Sequence, residues 1–284
     1  MSNNLSGFSV GIKLSGSEAA KVYHSKTDTR YFERERDVYE RLGQHPYIAR
    51  LLRIQGQTIY LERGTCLRQV LRTQDLPIEK KREWIAELAC GLEYIHSRNV
   101  IHADVNATNA IICKDETNEE HVKWIDFGGS GIDDSEPLAI YDLYNYRTPE
   151  PPLPEISIET DIFAFGCTIY EIETGSPPFF NETKEMDPGY VSDYVEERYK
   201  QGLFPSTENL RFDSIIKGCW HGRYGSMRDL RNELDLTGAR RSPAVGFSGL
   251  LLGALFVWRV LRRKVVGVWK FLFSRWLPFT ICGG

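Results

Sequence analysis

Three side chains of this sequence stand at spacings that suit a divalent-cation site. Asn109 follows Asp104 by five positions in the segment HADVNATN (102–109), and Asp126 begins the segment Asp-Phe-Gly. Carboxylate and amide oxygens are the ligands that hard cations such as Mg²⁺ prefer. A carboxylate beside such a cation can also orient the proton of an attacking hydroxyl. The spacing therefore favours metal-assisted group transfer to an alcohol.

Two further segments follow at a fixed order, YRTPE (146–150) and DIFAFG (161–166). Together with HADVNATN and Asp-Phe-Gly they resemble the eukaryotic-type protein kinase domain. The matched features are its HxDxxxxN catalytic loop, its DFG metal site, the end of its activation loop and the helix that supports that loop. Each motif alone often arises by chance, whereas all of them in this order and at these distances do not.

The resemblance implies a role for each polar residue of the two motifs. Asp104 is expected to position the acceptor hydroxyl as a base, while Asn109 and Asp126 bind the Mg²⁺ ions that bridge the phosphates of ATP. Asn106 stands where serine/threonine members carry a lysine; it is expected to donate a hydrogen bond, with reduced charge stabilisation in the transition state. Asp161 is expected to anchor the backbone of the catalytic loop.

The resemblance also implies a phosphate clamp upstream of these motifs. Lys21, in the segment EAAKVY, resembles the strand lysine that contacts the α- and β-phosphates of ATP. Glu35 is its predicted ion-pair partner on the following helix, and Glu33 is the rival.

Four residues are candidates for binding the adenine of ATP. The backbone of Leu61 and Glu62 is expected to reach adenine where a strand enters the hinge. Ala19 and Ile111 resemble the small and apolar residues that sandwich the base, although plain core positions would account for them equally well.

The sequence departs from the family at two places that concern regulation and ATP affinity. The glycine-rich loop is degraded, because only Gly7 and Gly11 lie near the right positions and Ser9 stands where the last glycine would fall. Ala103 replaces the arginine that grips a phosphorylated activation loop. An enzyme of this kind is therefore expected to act without such phosphorylation.

Hydrophobic periodicity predicts strands first and helices later. Strand-length patterns occupy 8–23, 47–62, 99–102, 110–113 and 122–126. Helical patterns occupy 30–43, 79–97, 160–174, 189–201, 210–219 and 226–234. This order predicts an α+β, bilobal protein-kinase-like fold with a small β-rich N-lobe (about 5–64) and a larger helical C-lobe (about 65–236), plus a C-terminal hydrophobic helical tail.

The tail, 237–284, differs in chemistry from the rest of the chain. Eight of the 35 basic residues follow Asp235, which is the last acidic residue. Residues 242–258 carry no charge over 17 positions, at the lower limit for crossing a bilayer, and RVLRRK comes next. The tail is predicted to contact an anionic membrane surface, either by spanning the membrane or by lying in its interface. A mistaken gene model is the other explanation for it.

Six scattered cysteines without metal-binding spacing favour free thiols in a reducing compartment. The N-terminus lacks the pattern of a signal peptide, which predicts a cytoplasmic kinase domain, associated with membrane through the tail.

The predicted function is ATP- and Mg²⁺-dependent transfer of a phosphoryl group to a serine or threonine hydroxyl of a protein substrate. No nucleic acid partner is predicted, and the sequence does not indicate an oligomeric state. Two alternatives remain open: a pseudokinase that acts as a binding or scaffold module, and a small-molecule phosphotransferase.

Overall fold

The computed structural model describes residues 10–24, 28–138, 141–149 and 154–239. Predictions that fall on Gly7, Ser9, Glu150 and residues 240–284 lie outside these ranges. Among the described residues, no helix is long and apolar enough to cross a membrane.

The N-terminal part of the described chain is a four-stranded antiparallel sheet with one helix. Its strands are β1 (Val10–Ser15), β2 (Glu18–Tyr23), β3 (Leu51–Gln55) and β4 (Thr58–Glu62), in the order β1-β2-β4-β3. Helix α1 (Thr29–Leu42) separates β2 from β3.

Helix α1 forms because its apolar residues recur at helical spacing. Phe32, Val38, Tyr39 and Leu42 are buried on one face of the helix. The helix ends at Gly43, whose φ of 62° lies in the left-handed region that a glycine adopts without a steric penalty.

The C-terminal part of the described chain is mainly helical. Its helices are α2 (Leu67–Thr73), α3 (Ile78–Ser97), α4 (Ile158–Thr174), α5 (Phe180–Thr183), α6 (Pro188–Lys200), α7 (Asp213–Trp220) and α8 (Met227–Ala239). Two small sheets complete this part, and the Trp124 carbonyl at the end of one strand accepts the Ala49 amide of the N-lobe. We call the space between the two lobes at this border the cleft. One sheet contains β5 (Thr65–Cys66), β7 (Ala110–Lys114) and β8 (Glu120–Trp124); the other contains β6 (Val100–Ile101) and β9 (Gly131–Ile132).

Helix α4 is the central support of the C-lobe. A capping box between Ser157 and Thr160 begins the helix, and Gly175, at a φ of 82°, ends it. Most of its side chains are buried, and it packs closely against α7. Gly166 allows that approach, because a Cβ on it would lie 2.5 Å from the Cβ of Cys219.

The predicted α+β, two-lobed fold is confirmed, with a four-stranded sheet in the N-lobe and most of the helices in the C-lobe. The six predicted helices are all present, with ends shifted by a few residues. The sequence analysis did not predict α2, α5 and the two-residue strands β5 and β9. Helix α5 and the two strands are shorter than the segments that periodicity can identify, and α2 carries only one set of apolar residues at helical spacing.

Gly166→Ala is expected to lower the free energy of unfolding by about 1–3 kcal/mol, because the added methyl group overpacks the contact between α4 and α7. Chemical denaturation would measure the change. The matched control is Gly189→Ala on the exposed surface of α6, where alanine is expected to be neutral or to stabilise by up to about 1 kcal/mol. Equal stability of Gly166→Ala and the wild type would contradict this packing.

Candidate active site

The pairing of β7 with β8 brings two of the predicted metal ligands to one edge of the cleft. Ala110 pairs with Trp124, and the amide of Ile125 donates to the carbonyl of Asn109 at 2.9 Å. Asn109, just before β7, therefore lies beside the end of β8, which Asp126 follows by two positions. The side chain of Asp126 remains 44% exposed.

Asp104 lies beside this pair and is held by neutral donors. Its Oδ2 accepts from Asn109 Nδ2 at 2.7 Å, and its Oδ1 accepts from Asn106 Nδ2 at 2.8 Å and from the Asp142 amide at 3.2 Å. Burial and the nearby charge of Asp126 raise the pKa of Asp104 to about 7. The structure thus brings Asp104, Asn109 and Asp126 together.

This donor set fits a hard cation. The hydrogen bonds of Asn109 to Asp104 use its Nδ2, so its Oδ1 is the atom that would bind a metal. With the carboxylate of Asp126, the site offers the oxygen ligands that Mg²⁺ requires.

Asn106 faces its own loop. Its Nδ2 donates to the side chain and the backbone of Asp104, and its Oδ1 accepts from the amides of Thr108 and Asn109. Asn106 therefore caps the short 3₁₀ helix of residues 107–109 and holds Asp104. The hydrogen bond that the sequence analysis assigned to Asn106 is made inside the loop.

Asp161 fixes the start of the same loop. Its carboxylate accepts the amides of His102 and Ala103 at 2.8 and 3.0 Å, and it also binds the side chains of His96 and Tyr141 at 2.8 Å. Ala103 has a φ of 65°, which an L-residue rarely adopts. The contacts of Asp161 agree with the anchoring role that was predicted for it.

Lys21 bridges the two lobes. Its Nζ lies 2.7 Å from Glu35 Oε2 and 2.7 Å from Asp126 Oδ1. Burial alone would lower the pKa of Lys21, but the charges of Asp126 and Glu35 outweigh it and raise that pKa. Of the two predicted partners, Glu35 is buried and paired with Lys21, whereas Glu33 is exposed.

Tyr23 is a member of this cluster that the sequence analysis missed. It lies two positions after Lys21 on the same face of β2, and its hydroxyl donates to Glu35 Oε2. A Cβ on Gly128 would lie 3.4 Å from the same hydroxyl. Tyr23 thus joins β2, α1 and the Asp-Phe-Gly segment. Strand alternation from Lys21 is the signal that could have identified it.

The strand register places apolar side chains beside Lys21. Ile12 pairs with Lys21, Leu14 pairs with Ala19, and Ala19 pairs with Leu61 across β2 and β4. Paired residues project to the same face of a sheet, so these four apolar side chains accompany the lysine. Ile12 and Leu14 are 56% and 36% exposed, and neither was predicted as a site residue.

A second apolar cluster combines residues of both lobes. Ile111 packs there with Ala49 and Cys113, and the partly buried Ile125 completes the cluster. This position agrees with either interpretation of Ile111, as an adenine contact or as core.

The backbone amide of Glu62, which was predicted to reach adenine, already has a partner within the protein. The amide of Glu62 donates to the carbonyl of Arg50 at 3.0 Å, and its carboxylate binds Lys123 at 2.7 Å. An adenine contact from Glu62 would therefore use its carbonyl oxygen. Gly64, two positions after Glu62, lies tightly against β7, because a Cβ there would lie 2.7 Å from the Ile112 carbonyl.

Helix α1 binds the segment that follows Asp126 through side-chain contacts. Arg34 donates to the carbonyls of Ser130 and Glu136, and Tyr31 donates to the carbonyl of Leu138 at 3.1 Å. Arg41 and Asp133 form a bidentate ion pair at 2.7–2.8 Å. These contacts tie residues 130–138 to helix α1, and the expectation that activity needs no phosphorylation of this segment stays a prediction.

Arg223 pairs with Glu233 at 2.8 Å.

Comparisons with known proteins point to one family. The family model described as protein kinase domain matches residues 10–222, about three quarters of the chain. The serine/threonine-protein kinase PknB of Mycolicibacterium smegmatis is 33% identical over 129 residues, which are 42% of this chain and 20% of that protein.

Two eukaryotic relatives match longer stretches. The serine/threonine/tyrosine-protein kinase HT1 of Arabidopsis thaliana is 26% identical over 181 residues, 62% of this chain and 44% of that protein. The human 3-phosphoinositide-dependent protein kinase 1 is 28% identical over 162 residues, 52% of this chain and 28% of that protein. The matched segments thus span less than half the length of these relatives.

Tyr23→Phe is expected to lower the free energy of unfolding by about 1.5–3 kcal/mol, because it removes a hydrogen bond to the buried carboxylate of Glu35. Denaturant titration would measure the loss. Tyr190→Phe is the matched control, since its ring is 67% exposed, and it is expected to leave stability unchanged. Identical unfolding curves for Tyr23→Phe and the wild type would remove Tyr23 from the cluster.

Proposed function

The chain belongs to the protein kinase family, and from that premise we propose that it transfers the γ-phosphoryl group of ATP to a serine or threonine hydroxyl of a protein. The observation that carries the proposal is the convergence of Asp104, Asn109 and Asp126 at one edge of the cleft. Phosphoryl transfer needs little covalent chemistry from the protein, and depends mainly on positioning and electrostatic stabilisation.

In the proposed mechanism, Asp104 accepts a hydrogen bond from the acceptor hydroxyl and orients it toward the γ-phosphate. Asn106 and Asn109 hold the Asp104 carboxylate in place for this step. Mg²⁺ bound by Asn109 and Asp126 would neutralise charge that develops on the phosphate oxygens. Ala103, which contributes no charge, takes no part.

Lys21 is proposed to bind the α- and β-phosphates, with Glu35 fixing the direction of its ammonium group. Ala19 and Leu61 on the sheet and Ile111 in the C-lobe are proposed to enclose the adenine, and Glu62 is proposed to contact it from the hinge. Apolar surfaces on both lobes support this placement, because a planar base is held mainly by such contact.

The proposed turnover is slower than that of a kinase with a lysine in the catalytic loop. Asn106 brings no positive charge to the γ-phosphate, and removing one stabilising group from a transition state typically costs about 2.7–4 kcal/mol, or roughly 10²–10³ in rate. The same feature favours a second candidate function, a binding module with little or no turnover.

The choice of serine or threonine rests on the relatives. PknB is named a serine/threonine-protein kinase, and HT1 is named for all three hydroxyl amino acids. A protein acceptor, rather than a small molecule, is proposed for the same reason. The tail remains a proposed membrane contact, and the cytoplasmic location remains a prediction.

Asp126→Asn is expected to lower transfer of the γ-phosphoryl group to a generic basic protein by about a hundredfold or more, because a metal ligand loses its charge. Radiolabelled Mg-ATP would measure the transfer. Asp134→Asn is the matched control, since Asp134 is an exposed aspartate in the same segment, and it is expected to retain the wild-type rate.

A thermal-shift titration with Mg-ATP separates the candidate functions. Stabilisation by Mg-ATP with transfer that Asp126→Asn abolishes supports the proposed kinase. Stabilisation without transfer identifies the binding module. Transfer to an aminoglycoside or to choline in place of the protein would identify a small-molecule phosphotransferase, and transfer that Asp126→Asn leaves unchanged would refute the assignment of the site.

A further inference from the structure

Arg68 in helix α2 lies between two carboxylates. Its Nε and Nη2 bind Glu171 of α4 at 2.6 and 3.0 Å, and its Nη1 binds Asp142 at 3.0 Å. The side chains of Arg68, Asp142 and Glu171 are 13%, 21% and 0% exposed. We call these three residues the Arg68 clamp. None of them belongs to a motif that the sequence analysis identified.

The Arg68 clamp is in direct contact with the proposed catalytic carboxylate. The backbone amide of Asp142 donates to Asp104 Oδ1 at 3.2 Å. The side chain of Asp142 also accepts the amide of Tyr144 at 3.0 Å, which closes the turn around it. A continuous chain of contacts therefore runs from Glu171 in the last turn of α4, through Arg68 and Asp142, to Asp104.

Stability alone does not account for the third member of the clamp. Arg68 and Glu171 already form a bidentate pair, the strong geometry for a guanidinium and a carboxylate. Adding Asp142 places a second carboxylate in a region of low dielectric, and such buried ionic groups are weak evidence for stability. What Asp142 adds is a tie between Arg68 and the segment that touches Asp104.

We propose that Arg68 and Asp142 are positioning residues for Asp104, with Arg68 holding the segment after Asp-Phe-Gly against the catalytic loop. This inference rests on the proposed kinase function. The cation of the clamp comes from α2, and the catalytic loop itself has the uncharged Ala103 next to Asp104. The fork of an arginine suits this role, since it can bind two carboxylates at once in a fixed plane.

Asp142→Asn is the direct test. It leaves Arg68 paired with Glu171 and keeps the backbone amide of residue 142, but it removes the carboxylate that Arg68 holds. A misplacement of about 1 Å in a catalytic constellation costs up to about a hundredfold in rate. We therefore expect kcat for protein phosphorylation to fall about tenfold to a hundredfold, with KM for ATP within about twofold of the wild type.

A second variant tests the other end of the clamp. Arg68→Met alone would leave Glu171 buried and unpaired, so it is combined with Glu171→Gln to avoid misfolding. The double variant is expected to lower kcat as Asp142→Asn does, and adding Asp142→Asn to it is expected to cause no further loss. Arg68→Lys should restore only part of the rate, because an ammonium group lacks the planar fork.

The control is Arg231→Met, which removes a partly buried arginine that pairs with Glu93 between α3 and α8. It is expected to change stability without changing kcat. If Asp142→Asn and the double variant keep the wild-type kcat, or if their losses simply multiply in the triple variant, the clamp does not position Asp104.

Hydrogen exchange separates this inference from the proposed function. Amides in residues 141–149 of the full chain are expected to exchange at least about tenfold faster in the Asp142→Asn variant, while α3 and α8 keep their protection. If the wild type transfers no phosphoryl group, the proposed function fails. If residues 141–149 also exchange at the wild-type rate in the Asp142→Asn variant, the Arg68 clamp is refuted as well. If those residues exchange faster, the Arg68 clamp orders the segment 141–149 even though the chain is not a kinase.

Discussion

Several carboxylates crowd around one cleft, and the geometry of the site depends on each having its own donors. Like charges in a low-dielectric region repel, so an unpaired carboxylate there would be costly or protonated. Two cations serve four of them: Lys21 binds Glu35 and Asp126, and Arg68 binds Glu171 and Asp142. Within the described part of the chain, Asp104 and Asp161 pair with no lysine or arginine and accept hydrogen bonds from amides and other neutral groups, with His96 as a further partner of Asp161. Each bridging cation also joins elements that are far apart in the sequence, which couples the lobes and the segment after Asp126 to the catalytic loop.

Most of the fold could be predicted from the sequence because its long elements carry strong local signals. The apolar residues of α1, α3 and α4 recur at helical spacing, and each of those helices is present. Helix α2 shows why the rest was missed: in seven residues, the buried Leu67, Val70 and Leu71 form one helical set that is not repeated, and periodicity is reliable only over longer windows. Its importance comes from Arg68, whose partners lie 74 and 103 positions away.

The candidate site divides in the same way. The sequence predicted Asp104, Asn109 and Asp126 because each lies in a short motif, HADVNATN or Asp-Phe-Gly, whose residue types and spacing suit a cation site. The preference for Glu35 over Glu33 followed from family spacing, and burial distinguishes the two in the structure. Contacts between residues that are far apart in the sequence leave no local pattern from which they could be predicted. The Asp142 amide reaches Asp104 across 38 positions, and Lys21 reaches Asp126 across 105.

Two backbone conformations show how these contacts maintain the site. Ala103 and Asp126 have φ values of 65° and 67°, in the left-handed region that costs an L-residue roughly 1–2 kcal/mol. Such strain persists only where the surroundings over-determine the conformation. Asp161 does this for Ala103 by accepting two successive amides, and Lys21 does it for Asp126 through an ion pair. The unusual conformation of each residue is therefore tied to a charged side chain from a different element, Asp161 of α4 for Ala103 and Lys21 of β2 for Asp126.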